Sequence, residues 1–417
     1  MPLGRPLLLL VFLALHSFLR ANPTVVTTEK ELNQAVTDLK ERDTIFIRGI
    51  ICFEDAVIIS KPLVLLGLDF PALDFQSRSS GLVLASDSIE VGGLHLHNIR
   101  KSSVDDYAAI LVRDIKGVYI HHCHIYNAFF GIYLAKCQRI RLEDNYVEGN
   151  LGQEISSGNA IHLWQCAKAT IKGNTLSRHR DGIYLEFVTD SHIESNKSFH
   201  NIRYGLHFMF SHRCTYMYNV FEQNEAGVAV MYSRNVQMIG NSFRDNWGDS
   251  SYGLLLKDIF DGEIRGNLLL NNTIAILVEG SNRLQVHDNS FTSNGWAIKI
   301  SASCEGNVIS NNQFNGNSFD VSTNGSTSNN LFDGNYWDHY AGYDLDGNEI
   351  GDVPHHPVSL FSVLVEKVPE ALMLYRSFLT LLLDRSEHLM PSVTPSALVD
   401  NTPLMAPPIY PMPYATN

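Results

Sequence analysis

Several common classes are excluded by what this 417-residue chain lacks. Beyond its start no run of 18 apolar residues occurs, so no helix is expected to cross a membrane. Basic charge is in deficit: 31 Lys and Arg stand against 44 Asp and Glu, a net charge of −13. With no basic stripe to offset it, a nucleic-acid backbone is excluded as a partner. Cysteine is sparse and scattered, at Cys52, Cys123, Cys137, Cys166, Cys214 and Cys304, with no Cys-x-x-Cys. This argues against a zinc knuckle or thioredoxin-type motif and leaves these residues as small buried hydrophobes. No Gly-rich phosphate loop and no nucleophile elbow is present.

What is present begins with an export signature. Arg5 precedes the apolar run Leu7 to Leu15, too short to span a bilayer, and Ala21 supplies a small residue for cleavage. Residues 1–21 are therefore read as a signal peptide with a bacterial periplasmic destination.

From residue 98 to 335 two marks recur. One is a turn residue, usually Asn, as at Asn145, Asn174, Asn196, Asn219, Asn241, Asn267, Asn289, Asn312 and Asn335. The other is a small residue opening an alternating strand, as at Gly131, Ala160, Gly182, Gly205, Gly227 and Gly253. The step from small residue to turn residue is 14 (145 − 131, 241 − 227), whereas the return step varies. A repeat that is rigid on one arc and tolerant on the other is a solenoid coil. Positions +1 and +3 after the small residue are apolar (Ile183 and Leu185, Leu206 and Phe208, Val228 and Val230) and are expected to point inward. A right-handed parallel β-helix solenoid is predicted over 22–345, with Asn amides pairing from coil to coil. A helix over Lys30 to Lys40 is expected to cap its first coil. Residues 346–390 are read as a connector with amphipathic helices, from the apolar stretch Ser359 to Leu383, and 391–417 as an extended tail.

Positions +2 and +4 are expected to face outward. They carry Tyr133, His162, Tyr184 and His207 in one column, and Trp164, Glu186, Met209, Met231 and Lys257 in the other. Thioether and imidazole donors suit Cu(I), so His207, Met209 and Met231 are the candidate metal set, with Trp164, Tyr184, Glu186 and Lys257 as partner-contacting neighbours. The same polarizable patch would also grip a partner protein without any metal. "HHCHIY" gathers His121, His122, Cys123 and His124, but alternation of faces prevents all four from sharing one ion; His121 is expected to point outward and His122 to lie at the corner, with a surface copper site there as the alternative reading. "DLDGNEIGD" offers Asp344, Asp346, Asn348 and Asp352 at calcium-type spacing, although His355 stands where a Glu is needed; a turn built on Asx bonds is the competing reading. A carbohydrate-active or carbohydrate-binding β-helix, lyase or hydrolase, would have to use Asp181, Glu186 and Arg203, and the outward column has Glu186 as its one acid.

The strings "HRDGIYLEF", "RYGLHFMFS", "AGVAVMYS", "SYGLLLKD" and "GNYWDHYAGYDLDGNEIGDVPHHP" resemble those of the NosD family of nitrous oxide reductase maturation proteins, from about residue 24 to 385. Arg180 departs from the glycine frequent in the family before Asp181-Gly182. The resemblance implies a non-enzymatic periplasmic protein that works with an ABC-type ATPase and its membrane permease, a copper chaperone and the apo-reductase. The copper-sulfide centre of that reductase would be the product served, and association with the membrane would run through the partner. The resemblance also gives the apolar segment Ser359 to Leu383 a role, docking on the permease; capping of the last coil is the alternative.

Overall fold

The structure is a computed structural model that describes residues 24–102, 104–150, 157–325, 329–389 and 398–409. The expected leader lies outside the described residues, as do 391–397 and 410–417 of the expected tail. The chain winds as a parallel β-solenoid. Twelve strands, from Val57–Ile59 to Phe319–Thr323, stack in parallel as sheet 1, and twenty-five form sheet 2 around the other two sides of the coil.

The inward columns lie where the alternation puts them. Ile132, Leu134, Ile183, Leu185, Leu206, Phe208, Val228, Val230, Leu254 and Leu256 are fully buried. Aromatic residues stack from coil to coil inside the solenoid, as Phe291 on Phe314 at 4.7 Å and Phe314 on Trp337 at 4.1 Å. Burying one such ring contributes roughly 1.5–3 kcal/mol.

The Asn column forms a continuous ladder. Asn219 Nδ2 donates to Asn241 Oδ1 at 3.0 Å, and the pattern runs from Asn145 to Asn335. Each amide also donates to a buried backbone carbonyl, as Asn219 does to Ile193 O at 2.9 Å, so the turns leave few orphan polar groups. A second ladder, absent from the sequence reading, runs Asn201, Asn224, Asn246, Asn272, Asn294, Asn317. It sits five residues after the first (224 − 219, 246 − 241), where the chain turns into sheet 1.

The ends are closed differently. Helix α1, Glu29–Asp38, is set by a capping box in which Thr28 Oγ1 accepts from Glu31 N and Glu31 Oε2 accepts from Thr27 N. Its Leu32, Ala35 and Val36 cover the first coil. At the other end, closure falls to residues 398–409. Asp400, fully buried, accepts from Gly334 N, Asn335 N, Asn335 Nδ2 and Trp337 Nε1, all at 3.0 Å, and so terminates the Asn ladder. Helices α2, Leu360–Lys367, and α3, Phe378–Leu389, with the 3₁₀ turn Pro369–Leu374 between them, instead lie across the outer face of sheet 1 at its last coils. There Phe361 meets Phe319 at 5.9 Å, and Glu366 accepts from Lys299 Nζ at 2.9 Å and Ser322 Oγ at 3.1 Å.

Five of the six cysteines are buried free thiols, as expected; Cys52 is exposed, because its strand Thr44–Cys52 carries a register shift beside Gly49 that turns its last residue outward.

Candidate functional site

The parallel register of sheet 1 builds two rows on its outer face. One runs Trp164, Glu186, Met209, Met231, Lys257, Glu279, each residue paired with the next across adjacent strands. Strand spacing therefore sets the Met209 and Met231 backbones about 4.8 Å apart on one face. Lys257 Nζ lies 3.7 Å from Glu279 Oε2, the next residue of the row and a second acid in a column expected to hold Glu186 alone. The second row runs Tyr133, His162, Tyr184, His207, with ring centroids 4.7, 4.8 and 4.9 Å apart.

That second row departs from the expectation that it faces solvent. His207 is only 4% exposed, walled by Tyr184 and by Tyr204, whose ring centroid lies 4.7 Å away. Large aromatic rings one coil apart shield each other even on an outer face. Neither His207 Nδ1 nor Nε2 has a hydrogen-bond partner among the described residues, although Nδ1 is 3.8 Å from the fully buried Asp181 Oδ2. Asp181 Oδ1 accepts from Tyr204 N at 3.3 Å, and Arg180 Nε approaches Oδ2 to 3.7 Å. His162 Nε2, His179 Nε2, Arg180 Nε and Asn159 Oδ1 are likewise buried with no hydrogen-bond partner among the described residues. Burial, helped by the Arg180 charge, depresses the His162 imidazole to about 3, and burial lowers His179 to about 4. The Tyr184 phenol is pushed up to about 12 by burial first, then by Glu186 and Asp181.

Buried polar atoms normally find partners, and this cluster gathers several that have none among the described residues. The side chains gathered here are a buried imidazole, carboxylate and phenol with two thioethers in the neighbouring row, donor types of which the soft members suit a copper ion. His207, Met209, Met231, Trp164, Tyr184, Glu186 and Lys257 all share this face, while His162 is two coils from His207 and cannot ligate the same ion. Asp181 is buried in the turn before the strand Ile183–Glu186 and Glu186 ends that strand on its outer face, which sets their backbones roughly 16 Å apart at about 3.3 Å per residue. Glycosidase carboxyl pairs need about 5–9.5 Å.

Two features escaped the sequence reading. The residues following Glu186, Met209 and Met231 are Phe187, Phe210 and Tyr232, which stack at 5.2 and 5.0 Å along an exposed edge, with Phe187 45% exposed. All three hold left-handed backbone, φ between 50° and 54°, at the coil corner. Three aromatics at one repeat position were the available signal. The orphan pocket had a weaker one, the Arg180 departure, whose guanidinium now borders Asp181 and His162. The apolar stretch read from the sequence between Ser359 and Leu383 is largely on the surface: Met373 is 90% and Phe378 74% exposed, flanked by exposed Val368, Leu372, Leu374, Leu379, Leu381 and Leu382.

Around Asp344 the carboxylates are used within their own loop. Asp344 Oδ1 accepts from Gly347 N at 2.7 Å, Asp344 Oδ2 from Glu349 N at 2.9 Å, and Asp352 Oδ2 from Leu345 N at 2.7 Å; Asn348 Nδ2 donates to Asp346 Oδ2 at 3.0 Å. This is the Asx-turn arrangement. Among the described residues, the group of metal-type side chains whose ligand atoms all lie within 4.8 Å is Asp320, Asp338 and His339, where the imidazole already stands between the two carboxylates at 3.5 and 3.1 Å.

Comparison with solved structures supports the fold alone. The catalytic unit of a GH87 α-1,3-glucanase from Streptomyces thermodiastaticus is similar with TM-score 0.59 at 10% identity, over 77% of this chain and 71% of that one. A surface protein and adhesin of Streptococcus pneumoniae gives TM-score 0.58 at 12% identity, over 70% and 94%. Sequence comparison goes further. Residues 147–342 match the family model described as periplasmic copper-binding protein (NosD). A Pseudomonas aeruginosa protein named probable ABC transporter binding protein NosD is 31% identical over 367 residues, 84% of this chain and 85% of that protein. With its solenoid, its thioether and imidazole face and this extended likeness, the chain belongs to the NosD family of periplasmic copper-binding proteins.

Proposed function

We propose that this protein is a non-enzymatic accessory factor for maturation of the copper-sulfide centre of nitrous oxide reductase. Its C-terminal helices dock on the permease of an ABC-type ATPase, and sheet 1 offers Cu(I), received from a copper chaperone, to the apo-reductase. The observation that carries the reading is the apolar surface from Val368 to Leu382, exposed on helices whose opposite side, Phe361, Val365 and Ala371, is packed against Phe319. A contiguous exposed apolar patch on a polar-surfaced protein marks a macromolecular contact. The name of the P. aeruginosa relative supports a transporter as that contact.

The copper role rests on His207, Met209 and Met231. His207 supplies an unpartnered imidazole with Asp181 behind its Nδ1, the arrangement in which a carboxylate orients a metal-binding histidine. The two thioethers favour Cu(I) over harder ions, and Glu186, Trp164, Tyr184 and Lys257 frame the face that a partner would read. From the Met231 coil to the Phe319–Thr323 coil is four rungs, about 19 Å. Docking surface and ligand row thus share one face of one sheet. The decisive experiment is detergent co-purification of the mature chain with the permease. Phe378→Glu with Leu381→Glu is expected to abolish it while leaving the circular dichroism spectrum and melting midpoint unchanged; retained co-purification would sink the docking assignment.

A further inference from the structure

A second histidine constellation lies on sheet 2, away from the soft row. His121 ends the strand Lys116–His121, and His122 follows it with left-handed backbone, φ 49°. That corner breaks the alternation on which the sequence reading of "HHCHIY" relied. It swings the His122 ring to the side of His121, so that the two Nδ1 atoms face each other at 3.0 Å with ring planes at 86°. Cys123 takes no part, being turned into the core.

Each ring is backed by a carboxylate on its far nitrogen. His121 Nε2 lies 3.2 Å from Glu90 Oε1, and His122 Nε2 lies 3.8 Å from Asp144 Oδ2. Two glycines make the room. A Cβ at Gly92 would stand 2.4 Å from His121 Cε1, and one at Gly173 would stand 2.2 Å from Asp144 Oδ1. Tyr119 stacks on the His121 ring at 4.3 Å and holds its plane.

The proton inventory of this cluster is unusual. If the two Nδ1 atoms share a proton, the ring that donates it turns a bare Nε2 toward its carboxylate, unless that ring is cationic. With a metal ion between them, both rings take the neutral Nε2–H tautomer, His121 donating to Glu90 and His122 turning its N–H toward Asp144, and both Nδ1 lone pairs are free for the ion. Two imidazole nitrogens bound at about 2.0–2.1 Å to one ion stand roughly 2.9–3.4 Å apart, which brackets the observed separation. We propose that His121 and His122 form a bidentate site for a divalent d-block ion of the Zn2+ type, oriented by Glu90 and Asp144 and completed by water on its exposed side. No thioether or thiolate enters it, so its preference is for a borderline divalent ion and not for the soft Cu(I) of sheet 1.

The test is a calorimetric titration of the mature chain with Zn2+, run on the parent, on His122→Asn, on His121→Gln and on the Met209→Leu, Met231→Leu double variant. Asn tolerates the left-handed corner and His122 is exposed, so the fold is expected to survive that change. One saturable site is expected in the parent and the double variant, weakened at least tenfold in each histidine variant. Long-range 1H–15N spectra of the imidazoles should show both rings as Nε2–H tautomers when Zn2+ is added. Absence of a saturable site, or a site unchanged in His122→Asn, would overturn the proposal. Either result is decisive even if His121→Gln fails to fold, and Cu(I) binding on sheet 1 is unaffected by both.

Discussion

The outer faces of sheets 1 and 2 are made by the same coils, yet they treat polar groups in opposite ways. On sheet 2 the charges are paired: Arg213 grips Asp190 through two bonds of 2.7 and 3.0 Å, Arg283 grips Asp261 at 2.7 and 3.1 Å, and Arg244 and Lys197 both reach Glu222. The broad groove on that side is lined by such satisfied residues, Arg213, Gln237, Glu263 and Arg283 among them. Facing them across the coil, sheet 1 holds His207, Asp181, His162 and Arg180 with buried atoms that have no hydrogen-bond partner among the described residues. One register thus delivers stability on one side and an unfilled set of donors and acceptors on the other. Sheet 2 has its own exceptions, among them His95 Nε2 and Tyr216 OH, buried without a hydrogen-bond partner among the described residues, and the His121–His122 pair.

The sharpest way to break the comparison is to remove what both faces share. Asn219→Leu deletes buried donors to Ile193 O and Asn241 Oδ1 and the buried acceptor for Asn196, with a partly buried donor to Met217 O. Leaving such groups unpaired should cost about 3–5 kcal/mol, read as a fall in the urea midpoint with both faces affected. Acid separates the faces next. His162 and His179, with imidazoles depressed to about 3 and about 4, stay neutral in the fold but become protonated in the unfolded chain below about 6.5. Between those values the unfolded state binds more protons, so stability falls as pH drops from about 6.5 toward 4, by roughly 1 kcal/mol per histidine per pH unit. Denaturation curves at pH 7, 5.5 and 4.5 should show that slope, and His162→Phe should reduce it; an unchanged slope would mean that sheet 1 does not hold this histidine neutral.

The smallest structural effect carries the functional contrast. Met209→Leu with Met231→Leu conserves volume, and its effect on melting is expected to be slight. In an anaerobic competition titration it should weaken Cu(I) binding at least tenfold. Arg213→Ala on sheet 2 should leave Cu(I) affinity as it was and shift the melting midpoint within error, since exposed ion pairs contribute little. If the two variants behave alike in the copper titration, the division of labour between the faces is wrong.

Much of this was legible in the sequence. Inward positions such as Leu206 and Phe208 follow from period-two alternation, and the ladder from Asn145 to Asn335 follows from the constant step to each turn. The parallel register of Met209 with Met231 follows from the same step. Other features were not legible. The second ladder from Asn201 lies where Ser, Thr and Asn are ordinary turn residues, so its members drew no notice. The His121–His122 encounter depends on a left-handed corner that a strict alternation rule forbids.

Sequence by itself determined the coil, the direction in which each strand residue points, and the soft character of one outer row, because stacking a repeat on itself turns spacing into position. Tertiary structure decided the rest. It closed the solenoid with Asp400, reached from a distant segment, and packed the apolar helices against Phe319 on sheet 1. It also buried His207 between two tyrosines without giving its nitrogens a partner. Those outcomes depend on which side chains meet across coils and corners, and on the water their meeting excludes, a property of the packed molecule that no spacing within one repeat encodes.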